Sequence, residues 1–530
     1  MEKKTLIVLI LTVVIIFFFQ MYFTPKEPQK TPPPSKTETI KTEQGQQKIE
    51  KQRIDLAIDK KKTKKRPVVE VKPPRDIMIE TPLLSITMMD LGGGIKSVKL
   101  KKYKETIKDD KPKEIIENIK PYMYIPRVVK TSGHTLIDDG FNLSFDKAGL
   151  NIHDKPETIT FTGTMADGSK IKKSYTFYPD TYTFDLNIEV EGVETEKTQI
   201  DFAVITDTNN SHYIFKGPFL FNGKKLEQFE KLEKNIEVGK TYKYAGLDDG
   251  FFAFIWIPKE ETAPPLTIIK SEKIPILRIS PEKTTTSATL FFGPKQTDIL
   301  KSLNIKAEKI IDFGWFDVIA KPLVWGMNYS NKITHNYGID IILLTILIKI
   351  IFYPLSLKSY KSMKEMQKLQ PQIQKLREKY KNDKQKLNQE MMELYKRRKI
   401  NPMGGCLPMI IQIPVFFALY KALSGAIELR HAHFLWWIND LSAPEDLFSF
   451  TVLGFNIPIR LLPLIMGITQ VIQQKMTPTS ADPMQEKMML LMPIIFTFLF
   501  WGFPSGLVLY WLVNNVISIG QQYYINKKVS

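Results

Sequence analysis

The chain has 530 residues, 43% hydrophobic and 25% charged, with a formal net charge of +18. Its mean hydropathy of -0.16 averages very polar stretches with very apolar ones, and the length leaves room for several domains. A single cysteine, Cys406, excludes an intrachain disulfide framework and a cysteine-rich metal site.

Lys3 and Lys4 precede an almost wholly apolar run, Thr5–Phe19. A small-x-small cleavage site is missing, since Gln20-Met-Tyr-Phe-Thr-Pro25 follows. The run therefore predicts an uncleaved transmembrane anchor over residues 1–24, with its lysines in the cytoplasm. No cysteine lies near it, which excludes a lipoprotein. Residues 25–75 are rich in Pro, Lys, Glu, Gln and Thr and predict a disordered linker. Its basic run Lys60–Arg66 lacks interleaved aromatics, so it reads as a solvated tether or a contact with anionic lipid, with no specific nucleic-acid partner.

From 76 to 308 the pattern turns to period two. Tyr182, Phe184, Leu186, Ile188 and Val190 alternate with polar residues, and Tyr175–Tyr178 reads as the hairpin partner. Leu91-Gly-Gly-Gly94 predicts a turn and Phe251–Ile257 a buried strand. The segment is long enough for a large all-β sandwich with its own core. It shows no paired carboxylates, nucleophile elbow or phosphate loop, so a β-domain enzyme finds no catalytic residues here. Residues 309–330 carry Ile311, Trp315, Ile319, Leu323 and Trp325 at helical spacing, interrupted by Pro322. They predict an amphipathic helix lying at the membrane interface.

Five spans are then predicted, near Gly338–Leu357, Cys406–Leu423, Ile459–Met476, Met488–Phe503 and Gly506–Tyr524. They make up a core over 331–526 and, with the anchor, a six-span α-helical bundle. The first of them holds Lys349, about 12 Å of helix from its nearer end, with Thr345, Tyr353 and Ser356 on the same face. Asp340 sits at an outer edge, and the span interiors hold no carboxylate to pair with Lys349. A charge at mid-span costs roughly 2.5–3.5 kcal/mol and marks a functional site by default. Gln470, Gln473, Gln474, Asn514, Asn515, Ser518, Gln521 and Gln522 add polarity towards the inner ends and predict a hydrophilic groove open to the cytoplasm. Interhelical hydrogen bonding is the plainer use of such residues.

The segment 358–402 carries 14 Lys and Arg against 5 Asp and Glu, which places it in the cytoplasm. Met363, Met366, Leu369, Ile373, Leu376 and Tyr380, then Leu387, Met391, Leu394 and Tyr395, recur every three or four residues. They predict a helical hairpin kinked at Pro371. Its methionines (Met363, Met366, Met391) and cations (Lys375, Arg377, Arg397) are candidate docking residues. Ser424–Pro458 is acidic and falls outside, with His431-x-His433 in a surface loop that lacks the further ligands of a zinc site. Both termini fall inside and the β domain outside.

These residues resemble the YidC family of membrane protein insertases. The matching stretches are Tyr353-Pro-Leu355, Leu369-Gln-Pro-Gln-Ile373, Asn388–Tyr395, Asn401–Pro408, Gln412-Ile-Pro414, Asp482-Pro-Met484 and Phe503–Tyr510, with Phe292-Gly-Pro-Lys295 closing the β region. The resemblance implies a periplasmic β-supersandwich and a bacterial inner-membrane location. It implies an insertase and chaperone, not an enzyme, that works without cofactor or metal on nascent membrane proteins in the lipid bilayer. It acts alone or with the Sec translocon; the ribosome and signal-recognition machinery are further partners to consider. The implied substrate groove is lined by Lys349, Thr345, Tyr353, Gln412, Gln470, Tyr510, Trp511, Asn514 and Ser518. The family's groove arginine aligns with Lys349, which keeps the charge and loses the bidentate fork. Trp511 stands where relatives often have a second tyrosine, and the tail after Tyr524 lacks the long basic extension of some relatives. The rival class is a polytopic solute transporter or channel, against which the missing intramembrane carboxylate and missing internal repeat both count.

Overall fold

Alternation puts one face of each strand in 76–294 into a shared core. In Thr183–Glu191, Phe184, Leu186, Ile188 and Val190 are buried while their neighbours are half-exposed. The computed structural model describes residues 73–116, 124–130, 143–164, 168–192, 198–204, 215–271, 274–398, 400, 407–452, 455–476 and 483–528. The expected anchor at 1–24 and nearly all of the linker at 25–75 lie outside them.

The β region holds three sheets. The largest has nine strands, in the order Leu226–Gln228, Gly217–Phe221, Tyr244–Asp248, Phe252–Pro258, Thr285–Pro294, Thr183–Glu191, Lys170–Phe177, Glu157–Thr164 and Ser144–Phe145. The expected hairpin is present, with Phe184 opposite Phe177. Phe252–Trp256 are all buried, as a central strand requires. Two five-stranded sheets flank it. One is built on Gly94–Lys104 and Leu84–Met89, the other on Thr198–Phe202 and Ile276–Ile279. The turn before Gly94 needs glycine: Gly92 has φ 64°, and a Cβ there would fall 2.2 Å from the Tyr124 ring. Buried charge is matched in this half. Arg278 forks onto Asp201 with two bonds of 2.7 Å. Lys295 Nζ lies 2.8 Å from Asp248, whose carboxyl burial pushes up to about 6 against the pull of the lysine.

A short helix, α1 (Thr297–Ser302), leads to α2 (Asp317–Thr334), α3 (Tyr337–Lys379), α4 (Lys384–Arg397), α5 (Leu407–Gly425), α6 (Leu461–Met476), α7 (Pro483–Phe500) and α8 (Ser505–Lys528). The amphipathic helix expected at 309–330 begins later and ends later, as α2. Trp315 precedes it, and Val318, Trp325, Tyr329 and Ile333 stand exposed along it, while Ala320 and Met327 are buried. Asp340 joins α2 to α3. It is fully buried and accepts from Ser330 Oγ at 2.6 Å, Asn331 Nδ2 at 2.7 Å and Thr334 Oγ1 at 2.7 Å.

The sequence reading separated a span ending at Leu357 from a hairpin beginning at Lys358. The structure corrects this, because α3 runs unbroken for 43 residues through Pro354 and Pro371. Its apolar first half and charged second half differ in composition but not in backbone conformation, since Leu, Lys, Gln and Met are all good helix formers. Asp383 caps α4 by accepting from Lys386 N at 3.0 Å. Among the described residues, α3 is the one helix long and apolar enough to cross a membrane.

The β region and the helical half also meet beyond their chain connection. Ile427, just beyond α5, is buried within the β core. Arg430 donates to Lys104 O and Glu105 O, each at 2.8 Å, and stacks 5.4 Å from the Phe252 ring.

Candidate functional site

Helix α8 packs against α3, α5 and α6. Tyr510, Asn514 and Ser518 recur every four residues, share one face and are all buried. Lys349 Nζ, on α3, donates to Ser518 Oγ at 2.6 Å, and Ser518 Oγ donates to Asn514 O, one turn earlier, at 2.7 Å. From α5, Gln412 Nε2 donates to Asn514 Oδ1 at 2.7 Å and to Tyr510 Oη at 3.4 Å. Five of the nine expected groove residues thus form one polar cluster across three helices. An ammonium has three donors. Lys349 bonds a neutral hydroxyl, and no carboxylate lies within ion-pair distance of it among the described residues.

The other four stand apart. Thr345 is buried, but its hydroxyl donates to Ile341 O at 2.6 Å, within its own helix. Tyr353 is 37% exposed on the flank of α3. Gln470 lies on α6, where the bond to α8 comes from its neighbour, Thr469 Oγ1 accepting from Asn515 Nδ2 at 3.4 Å. Trp511 packs among aromatic rings. Its ring sits 5.1 Å from Phe416, 5.1 Å from Phe500 and 6.0 Å from Phe496, in an aromatic wall joining α5, α7 and α8. Consecutive helical residues differ by about 100° in direction, so adjacency to Tyr510 turned Trp511 away from the Lys349 cluster.

Gln522 Nε2 donates to Met476 O at 2.6 Å. Among the described residues, the buried Gln470, Gln521 and Gln522 Oε1 atoms and Trp511 Nε1 have no partner. The helical half therefore keeps unused hydrogen-bonding capacity at its polar faces, a state that costs about 1–3 kcal/mol per group when dry.

Two family matches divide the chain within α2. Residues 76–326 match the family described as YidC periplasmic domain, and 329–530 match 60Kd inner membrane protein. The chain belongs to the YidC family. "Membrane protein insertase YidC" of Syntrophus aciditrophicus is 43% identical over 87% of this chain and 87% of its own. The Geobacter sulfurreducens protein of the same name is 42% identical over 85% and 86%. A solved structure titled "Active YidC insertase crystal structure with the first transmembrane domain resolved" covers 86% of this chain and 93% of its own, with 21% identity and a TM-score of 0.39. The family is one of inner membrane proteins with a periplasmic domain.

In this YidC chain the expected docking residues spread over α3 and α4. Met363 is buried, Met366 and Met391 are half-buried, Lys375 is exposed and Arg377 half-buried. Arg397 is exposed and paired with Glu393 at 2.7 Å, one helical turn away. The methionines thus contribute less free surface than their spacing suggested, because the same period that lines up a docking face also lines up packing between two arms. His431 and His433 face Asp440 at 4.0 Å and Asn439 at 3.0 Å respectively, in the loop after α5.

Proposed function

We propose that this chain is a membrane protein insertase that moves hydrophobic segments of nascent proteins into the inner membrane through the polar cluster on α3, α5 and α8. The observation that carries the reading is Lys349, a cation bonded to neutral Ser518 in the helix apolar and long enough to span. Its second and third donors stay available for the acidic or polar flank of a client, which would otherwise cross the apolar core unpaired. The apolar segment leaves along α5 and α7 into lipid, driven by burial at about 25 cal/mol per Å² of apolar surface.

The topology in this proposal has six spans, both termini in the cytoplasm and the β domain in the periplasm. The anchor supplies the first span; α3, α5, α6, α7 and α8 supply the rest. Helix α6 has 16 residues, about 24 Å, against an apolar core of about 30 Å, so it needs a bilayer that adjusts locally. The cytoplasmic arm of α3 together with α4 receives the client, and the Sec translocon and ribosome are candidate partners there.

The test is reconstitution of the purified chain in liposomes with a small single-span client, with a photocrosslinker at Tyr353. Client protected from added protease only when the chain is present, and crosslinked to it, supports the reading. Crosslinks to small solutes alone, with no client protected, would replace insertion by solute transport.

A further inference from the structure

The loop between α5 and α6 keeps a cluster of large apolar side chains outside its own buried core. Its frame is pinned to the outer ends of three helices. A Cβ on Gly338, at the start of α3, would fall 2.0 Å from the Phe434 ring, and Asn336 Nδ2 donates to Phe434 O at 3.1 Å. Glu445 is buried and accepts from Leu462 N at 2.9 Å and from Leu461 N, capping α6. Ser505 N donates to Ala443 O at 2.8 Å and Gly506 N to Leu441 O at 3.0 Å, so the loop also covers the start of α8. Asp440 turns back on Ser442, accepting from its N and Oγ at 2.8 and 2.7 Å. Phe434, Ile438 and Leu441 are buried under this frame, while a second apolar set faces outward: Leu435, Trp436, Leu447, Phe448 and Phe450 are 46%, 79%, 39%, 56% and 42% exposed. Trp436 has φ 52°, a left-handed conformation that a bulky residue adopts only when its surroundings impose it, and it stacks on Trp437 at 5.7 Å.

We infer that the segment 435–450 is a membrane foot whose Trp436 and Phe448 enter the headgroup region of the outer leaflet. The inference rests on the topology proposed above. Three features set its depth. The loop is fixed to the outer ends of α3, α6 and α8, so it lies at the level of the bilayer surface. Tryptophan and phenylalanine are the residues expected at that level. The strands Phe448–Val452 and Phe455–Ile459 form a two-stranded hairpin whose outer edges carry unpaired backbone groups, and such edges do not enter hydrocarbon. The foot therefore stops among the headgroups. With the exposed aromatic face of α2, it gives the chain a second contact on the same leaflet.

The experiment uses the full chain with Cys406→Ser, reconstituted in liposomes of phosphatidylethanolamine and phosphatidylglycerol. Single cysteines replace Trp436 or Phe448 and carry a nitroxide, whose collisions with oxygen and with a water-soluble nickel chelate report depth. Lys224→Cys, on an exposed strand end of the β domain, gives the water value, and Ile350→Cys, on α3, gives the mid-membrane value. Labels at 436 and 448 are expected to fall between the two, at the depth of lipid phosphates. A water-like value at both positions overturns the inference, and so does a value equal to that at 350. Labelling of Lys224→Cys by an impermeant maleimide reports topology separately. If that cysteine reacts from the cytoplasmic side, the topology fails whatever the depth; if it reacts from outside and 436 is water-like, the foot alone fails.

Discussion

The two halves of the chain treat buried charge in opposite ways. In the β domain two buried carboxylates are matched by cations. Lys295 meets Asp248 at 2.8 Å and Arg278 meets Asp201 with two bonds, while Lys173 is seated on two backbone carbonyls, Gly92 O and Pro126 O, at 2.7 and 2.9 Å. In the helical half Lys349 donates to a neutral hydroxyl, and buried amide oxygens on α6 and α8 have no partner among the described residues. Paired charges hold a fold in register. A charge with donors to spare is poor at holding a fold and well suited to receiving a ligand. The comparison sets the buried, ion-paired Lys295 against the half-buried Lys349, whose bond goes to a neutral hydroxyl.

The largest expected effect breaks a matched pair. Asp248→Ala leaves Lys295 buried without its anion and is expected to destabilise the β domain by about 3–5 kcal/mol, read by chemical denaturation of the full chain. Adding Lys295→Met is expected to recover most of the loss. The same pair gives a pH signature. The carboxyl titrates at about 6 in the fold and near its ordinary 3.8 when unfolded, so the fold takes up the proton first. Its contribution to stability is highest below the ordinary carboxylate range, falls as pH rises from about 4 to about 6, and is level above. Asp248→Asn is expected to flatten that slope; an unchanged slope assigns it to another group.

Lys349 sharpens the contrast. Lys349→Ala is expected to leave stability within about 1 kcal/mol and to lower insertion of clients with acidic translocated tails about tenfold, or about 1.4 kcal/mol. Lys349→Arg is expected to retain activity, and Lys349→Glu to fall below alanine. Equal insertion by the alanine and lysine proteins ends the functional reading, while a stability loss like that of Asp248→Ala erases the difference between the halves.

A smaller effect is expected from Lys358→Gly with Ser359→Gly. Each glycine costs about 1 kcal/mol of helix propensity and decouples the cytoplasmic arm of α3 from the span. Insertion is expected to fall two- to fivefold, with client crosslinking to Met366 retained; loss of crosslinking together with insertion would show that the arm had unfolded. The smallest effect is at Arg430→Ala, which removes two bonds to carbonyls and is expected to widen the distance distribution between spin labels on the β domain and on α6, with insertion changed by less than twofold. An unchanged distribution would mean that Ile427 alone seats the β domain.

Legibility in the sequence followed how local the physics is. Alternation in Thr183–Glu191 and the apolar run of α3 are local patterns, and both appear where expected. The polar cluster was half legible. Lys349 declared itself as a charge in an apolar run, Asn514 and Ser518 as polar residues in another, and Tyr510 came only from the family resemblance. The bond from α3 to α8 spans 169 residues, and no periodicity reports it. Trp511 was misplaced because a motif gives adjacency in sequence and not direction around a helix. The hairpin at 448–459 was missed, although Phe448-Ser-Phe-Thr-Val452 alternates with period two, because acidity had already marked the segment as an outside loop. The Arg430 clamp uses backbone carbonyls as acceptors, and these carry no sequence signal at all.

Helix α3 is also a lever. Its 43 residues measure about 64 Å, and the bonds that Ser330, Asn331 and Thr334 make to Asp340 form a pivot at its outer end. Lys349 sits nine residues from that pivot, about 14 Å along, while Lys379 is about 58 Å away. A rigid tilt that moves the cytoplasmic tip by 4 Å therefore moves the Lys349 backbone by about 1 Å. That is enough to change a hydrogen bond of 2.6 Å and too little to disturb packed neighbours. On the topology proposed above, a tilt of the charged arm would reach the Lys349 bond with a reduction of about four to one.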